Sequence, residues 1–187
     1  MAEANQFAQR IENETKKWLS SVIIAHNYCP FAKREVENDR VRYHFIFDCE
    51  INSLLKNFVS ECEWLDSHSE TETTLIIFPE GLENFNEYLA VLGLAEDMLL
   101  AQGYEGIYQL ASFHPHYCFQ GAEDDDAANY TNRSPYPMFH IIREASIEKA
   151  IANHPDTDAI PERNIEYARS QGLEKMKHLL SACMSND

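Results

Sequence analysis

Apolar and polar positions along the chain follow periods that assign most of its elements. Phe7, Ile11, Trp18, Leu19, Val22 and Ile23 recur every three or four residues, which predicts one helix over about 3–25, closed by "HNYCP". Val41, Tyr43, Phe45 and Phe47 then alternate with Arg42, His44 and Ile46, the period of two of a half-buried strand. Ile51, Leu54, Leu55, Phe58, Val59, Cys62 and Leu65 return to helical spacing and place Cys62 in the core. "TTLIIFP" is a short unbroken apolar run rich in β-formers, as in a central strand covered on both faces. "PEGL" separates it from a long helix expected to turn Leu82, Phe85, Leu89, Leu92 and Leu99 inward and to end at Gly103. "EGIYQLAS" and "PMFHIIR" supply a third and a fourth strand. Three helices finish the chain: 146–153 before Pro155, 161–171 with Pro161 near its start and Gly172 past its end, and 173–182.

This succession requires crossover connections and so a partly parallel sheet. The expected fold class is α/β: a layered sandwich with a small sheet of about four strands and flanking helices. An α+β, ferredoxin-like arrangement is the alternative, because periodicity does not reveal strand order. At 187 residues, with no Gly/Ser or Pro tract and no repeat, the expectation is a single domain over 1–187.

Charge changes this picture along the chain. Residues 1–48 carry seven basic and seven acidic side chains, 127–187 carry seven and eight, and 49–126 carry only Lys56 against sixteen acids. Nearly all of the net −16 therefore lies in the middle segment. Such a surface repels phosphate backbones, so nucleic-acid binding is not expected. No apolar run approaches the roughly 18 residues that span a membrane, and the N-terminus has no basic-then-apolar signal design, so a cytoplasmic protein is expected. Five widely spaced cysteines without a C-x-x-C suggest reduced thiols rather than a disulfide framework or a structural zinc ribbon, and the sequence leaves any cofactor unknown.

Candidate chemistry concentrates in two stretches. In "NYCPFAKREV", a short helix opening at Pro30 would put Cys29 at its N-cap, where unpaired backbone donors and Lys33 lower a thiol pKa. The second stretch is "SFHPHYCFQGAEDDDAANYTNRSPYPMFH". Its His114, His116 and Cys118 stand two apart, so in an extended segment they would point to one side and offer three of zinc's four ligands. Asp124, Asp125 and Asp126 suit a hard cation but lack an EF-hand spacing. Arg133 is the only basic residue between Lys56 and Arg143, which makes it an anion-binding candidate, with Asn132 and Tyr130 shaping a pocket. His140, Arg143 and Glu144 lie on or just beyond the fourth strand, and ligands of open α/β sheets sit outside strand carboxyl ends, so these residues are candidates for the same crevice as His114.

Two resemblances follow from these motifs. "CPFAKR" resembles the active-site turn of omega-class glutathione transferases and, more loosely, of monothiol glutaredoxins, which implies a thiol-dependent transferase at Cys29. Here, however, a long amphipathic pattern precedes the cysteine, and no proline lies between Pro30 and Pro79. The wider set "WLSSVIIAHNYCPFAK", "ETTLIIFPEGLENFNEYL", "YQLASFHPHYCF", "ANYTNRSPYPMFHIIREASIEKA" and "IPERNIE" resembles, over about 18–180, the bacterial family catalogued as domain of unknown function 1415. That likeness implies a small single-domain cytoplasmic protein and brings no activity. Its pattern keeps "CPFAK", "ASFHP" and "NYTNRSPYPM" and varies at the positions of His116 and Cys118, which favours His114, Cys29 and Asn132/Arg133 over a three-ligand metal site.

The function expected from the sequence is binding of a small anionic molecule. Cys29 or His114 would be the nucleophile or acid/base group, with Lys33, Arg133 and Arg143 as anion partners. A non-enzymatic interaction protein using the acidic surface is the competing expectation.

Overall fold

The computed structural model describes residues 2–152, 157 and 159–184. Along the chain run α1 (Ala2–Trp18), a π-helical turn (Leu19–Ile24), α2 (Ala32–Glu37), β1 (Val41–Phe45), α3 (Ile51–Ser67), β2 (Thr73–Ile77) and α4 (Phe85–Ala101). They are followed by β3 (Tyr108–Phe113), a 3-10 turn (Ala127–Thr131), β4 (Met138–Arg143), α5 (Glu144–Ala152), α6 (Ile160–Gln171) and α7 (Leu173–Ser181). The expected stop of the fifth helix at Asn153 and Pro155 lies outside the described residues. Two compact units divide the chain: Met1–Lys33 with His114–Tyr136 and Asp156–Asp187, and Arg34–Phe113 with Pro137–Pro155.

The second unit holds the sheet. Its strand order is β1-β2-β4-β3, with β1 parallel to β2 and β4 antiparallel to both β2 and β3. Parallel neighbours need a long crossover, and α3 supplies it between β1 and β2. The succession strand, helix, strand, helix, strand, strand makes a mixed α/β layered fold and differs from the β-α-β-β-α-β order of the ferredoxin-like alternative. Both long helices are capped by side chains. Glu50 accepts from the Ser53 N–H ahead of α3, and Asn84 accepts from the Asn86 and Glu87 N–H groups ahead of α4.

The alternation of side chains sorts the sheet into two faces. Ile46, Ile76, Phe78, Phe139 and Ile141 pack with Leu54, Phe58, Cys62 and Leu65 of α3 and with Tyr88, Val91, Ala95 and Leu99 of α4. Each fully buried side chain of this kind contributes about 1.5–3 kcal/mol. Arg42, His44 and Thr74 share the parity of Ile46 and Ile76 and so belong to the same, helix-covered face. The opposite face carries Val41, Tyr43, Phe45, Thr73, Leu75, Ile77, Met138 and His140. On α4 one expectation fails: Leu89 is 41% exposed, because the inward stripe runs through Tyr88, Val91, Ala95 and Leu99 instead.

In the first unit, α1 passes into a π-helical turn that buries Leu19, Val22 and Ile23 and closes with the Tyr28 N–H on the Ile23 carbonyl. Asn27 then takes a positive φ of 54°, so the chain leaves the helix sharply. Arg163 and Asn164 of α6 hold this corner by donating to the Asn27 and Tyr28 carbonyls.

Candidate functional site

Cys29, Lys33, His114, His116, Cys118, Tyr130, Asn132 and Arg133 fall in the first unit, while His140, Arg143 and Glu144 fall in the second. The irregular segment that the sequence marks out is held by its own side chains. Arg133, only 8% exposed, donates from Nε to the Tyr117 carbonyl, from Nη1 to the Tyr130 hydroxyl, and from Nη2 to both the carbonyl and Oδ1 of Asp124. Its guanidinium also lies 4.7 Å from the Tyr130 ring centroid. Arg133 is thus spent on folding the loop rather than held out to an anion, and the Tyr130 hydroxyl is spent with it. Asn129, fully buried, ties the same loop by accepting from the Phe119 N–H and donating to the Glu123 and Asp124 carbonyls. The Trp18 indole donates to the Arg133 carbonyl at 3.0 Å and fastens the loop to α1.

His114, His116 and Cys118, the metal-ligand candidates, make other contacts here. The backbone turns at Pro115 instead of extending, and the His116 N–H donates to His114 Nδ1 at 2.9 Å. Cys118 Sγ donates weakly toward the Phe119 and Ala122 carbonyls. Among the described residues, no group of three or more His, Cys, Asp or Glu side chains is disposed to hold a metal ion. Asp126 accepts from the Ala128 N–H, capping the 3-10 turn, and forms an ion pair with Arg169 of α6 at 2.6 Å. Those two bonds, the Arg169 one first, hold its carboxyl below the ordinary range.

Cys29 departs from expectation in sign. Helix α2 opens at Ala32, so Pro30 and Cys29 lie in the preceding turn rather than at its first position and cap. Burial pushes the Cys29 thiol up, and the N–H groups of Phe31 and Ala32 pull the other way without overcoming it. The sequence predicts the opposite direction, a thiol lowered at the N-cap of a short helix. Lys33 is exposed on α2. The Asn132 carbonyl accepts from the His114 N–H, and its side-chain oxygen accepts from the Thr131 hydroxyl.

In the second unit, Arg143 closes the end of α3 by donating to the carbonyls of Leu65, His68 and Thr71 and to the Tyr108 hydroxyl. Glu144 begins α5, and its N–H donates to the Ile107 carbonyl. His140 Nε2 lies 2.6 Å from the Thr73 hydroxyl, which itself donates to the Ile141 carbonyl. A hydroxyl donates once, so His140 carries its proton on Nε2 and gives it to Thr73. Burial lowers its pKa to about 4, which keeps the ring neutral.

A different cluster, unmarked by the sequence reading, combines charge, burial and access. Glu61 of α3 has a side chain only 3% exposed. Its Oε1 accepts from Arg42 Nε at 2.5 Å and from the Thr74 hydroxyl at 3.1 Å, while its Oε2 accepts from Arg42 Nη2 at 3.3 Å. His44 Nδ1 stands 3.3 Å from the same Oε2 and 3.5 Å from Arg42 Nη2. The Arg42 guanidinium lies 3.9 Å from the Trp64 ring centroid, and Trp64 in turn stacks on His68 at 3.7 Å with 8° between the planes. Burial holds His44 below its ordinary value; Glu61 opposes that shift and Arg42 adds to it.

The arrangement has a buried side and an open side. One edge of the Arg42 guanidinium, Nε and Nη2, is taken by Glu61, whereas among the described residues neither Arg42 Nη1 nor His44 Nε2 has a protein partner. The side chains of Arg42 and His44 are 31% and 27% exposed. Two signals in the sequence pointed here. Glu61 sits three residues after Phe58 and four before Leu65, on the apolar stripe of α3. Arg42 and His44 occupy what looks like the solvent face of β1, and it is that face that meets α3.

A family model described as "Protein of unknown function (DUF1415)" matches residues 10–178. No curated protein and no solved structure matches the chain.

Proposed function

We propose that this chain, which belongs to the family described as protein of unknown function DUF1415, binds a small molecule bearing a carboxylate or phosphate at the open side of the Arg42–His44–Glu61 cluster. The observation that carries the reading is a guanidinium fixed on one edge by a buried carboxylate and stacked on Trp64, with Nη1 left to offer. An Arg held this way is pre-organised, so little side-chain entropy remains to be lost when a planar oxyanion docks. His44 supplies a second contact from Nε2. Its neutral form donates or accepts according to tautomer, and its protonated form donates from both nitrogens.

Glu61 neutralises the charge of Arg42, and the whole chain carries −16, so the long-range field works against an anion. Affinity therefore rests on local hydrogen bonds and rises as His44 takes up a proton. The chain should melt at a higher temperature in inorganic phosphate or malonate than in chloride of equal ionic strength, and more so at pH 5.5 than at pH 8. Arg42→Met and His44→Gln should each remove that gain. Equal stabilisation of the parent and Arg42→Met would overturn the proposal.

A further inference from the structure

The outer surface of α4 carries a stripe unconnected with the Arg42 cluster. Leu89, Gly93, Glu96 and Leu100 recur at helical spacing and so share one side of the helix. Leu89 is 41% exposed, Leu100 57%, and Ile107, just past the helix, 46%. Gly93 lies in the middle of the helix, where glycine costs roughly 0.5–1 kcal/mol against alanine. A Cβ added there would meet nothing within 4 Å, and Gly93 is not among the glycines with positive φ. Neither packing nor backbone geometry within the described residues requires a glycine at this position. What it leaves is a notch bordered along the stripe by Leu89 and Glu96, with Leu100 one turn beyond, where another backbone can come close.

The charge around the stripe identifies the occupant. Glu87, Glu96, Asp97 and Glu105 are exposed, and no Lys or Arg occurs between Lys56 and Arg133. A second copy of this chain seated about a two-fold axis would bring these acids toward their own counterparts, which is repulsive. We propose that the Leu89–Gly93–Leu100 stripe docks an amphipathic helix of a partner protein, one that sets leucine-type side chains into the notch and flanks them with Lys and Arg. The apolar anchors hold the helix and the acids select its charge.

Fluorescence anisotropy on the full chain tests this with a labelled leucine–lysine peptide whose leucines follow helical spacing, beside a peptide of the same composition in scrambled order. The ordered peptide should bind saturably and the scrambled one at least about tenfold more weakly. Leu100→Glu adds negative charge to an exposed position, so simple charge attraction predicts tighter binding, whereas docking predicts about tenfold weaker binding. Gly93→Leu, which fills the notch without altering charge, should weaken it as well, with circular dichroism confirming that both variants remain folded. Equal binding of the two peptides, or undiminished binding by Leu100→Glu, would overturn the proposal.

Discussion

Replacing Glu61 with glutamine removes the one charge that organises the candidate site while keeping its shape. Breaking one side of a buried ion pair costs about 3–5 kcal/mol when the surviving charge stays buried. Here the survivor is Arg42, whose side chain is 31% exposed, so water recovers part of its solvation, and glutamine keeps an oxygen for Thr74. The loss should therefore be smaller, about 2 kcal/mol, read as a lower urea midpoint with an unchanged slope. Arg42→Met should show a loss of its own, and the double variant should lose less than the two singles together, with a coupling of about 1–2 kcal/mol. The same variant makes a second, signed test. Glu61 draws His44 upward and Arg42 pushes it down, so with Glu61 gone the His44 titration followed by NMR should move to lower pH. A Glu61→Gln protein within about 0.5 kcal/mol of the parent, or a His44 that titrates higher, would refute the electrostatic account.

Three further predictions concern the rest of the molecule. His140 is held at about 4 against an ordinary 6.5, so the unfolded chain binds the extra proton first as the pH falls. Its contribution to stability is present above pH 6.5, is lost between 6.5 and about 4, and amounts to at most ~3 kcal/mol; it should appear as a difference in urea unfolding between the parent and His140→Gln, and parallel pH profiles would contradict it. Arg133→Met should cost about 1–3 kcal/mol by thermal or urea unfolding, because it strips the part-buried carbonyls of Tyr117 and Asp124 and the Tyr130 hydroxyl of a charged donor. Cys29 should react with iodoacetamide more slowly in the native chain than in urea at the same pH, and faster native alkylation would restore the activated thiolate.

Elements whose periodicity is strong were legible from the chain alone. The five-residue strand β2 is buried along its whole length, as an unbroken "TTLIIFP" implies, and α3 puts Leu54, Phe58, Cys62 and Leu65 inward as its spacing requires. The site was harder to read, for two physical reasons. Arg133 looked available to an anion because it is the only basic residue between Lys56 and Arg143, yet besides the Asp124 carboxylate its partners are backbone carbonyls and a tyrosine hydroxyl, which a tally of charges does not see. Arg42 and His44 looked like a solvent face because they are polar, and only the pairing of β1 with β2 beneath α3 reveals that this face meets Glu61. Glutamate within an apolar helical stripe was the available warning, since a buried carboxylate must find a partner.

The proposed site is tested most directly by titrating inorganic phosphate and malonate into the isotopically labelled full chain and following backbone and side-chain NMR signals. The account predicts saturable shifts centred on Arg42, His44, Trp64 and Thr74 that vanish in Arg42→Met. Shifts centred instead on 114–136, shifts that persist without Arg42, or no saturable shift at all would contradict it.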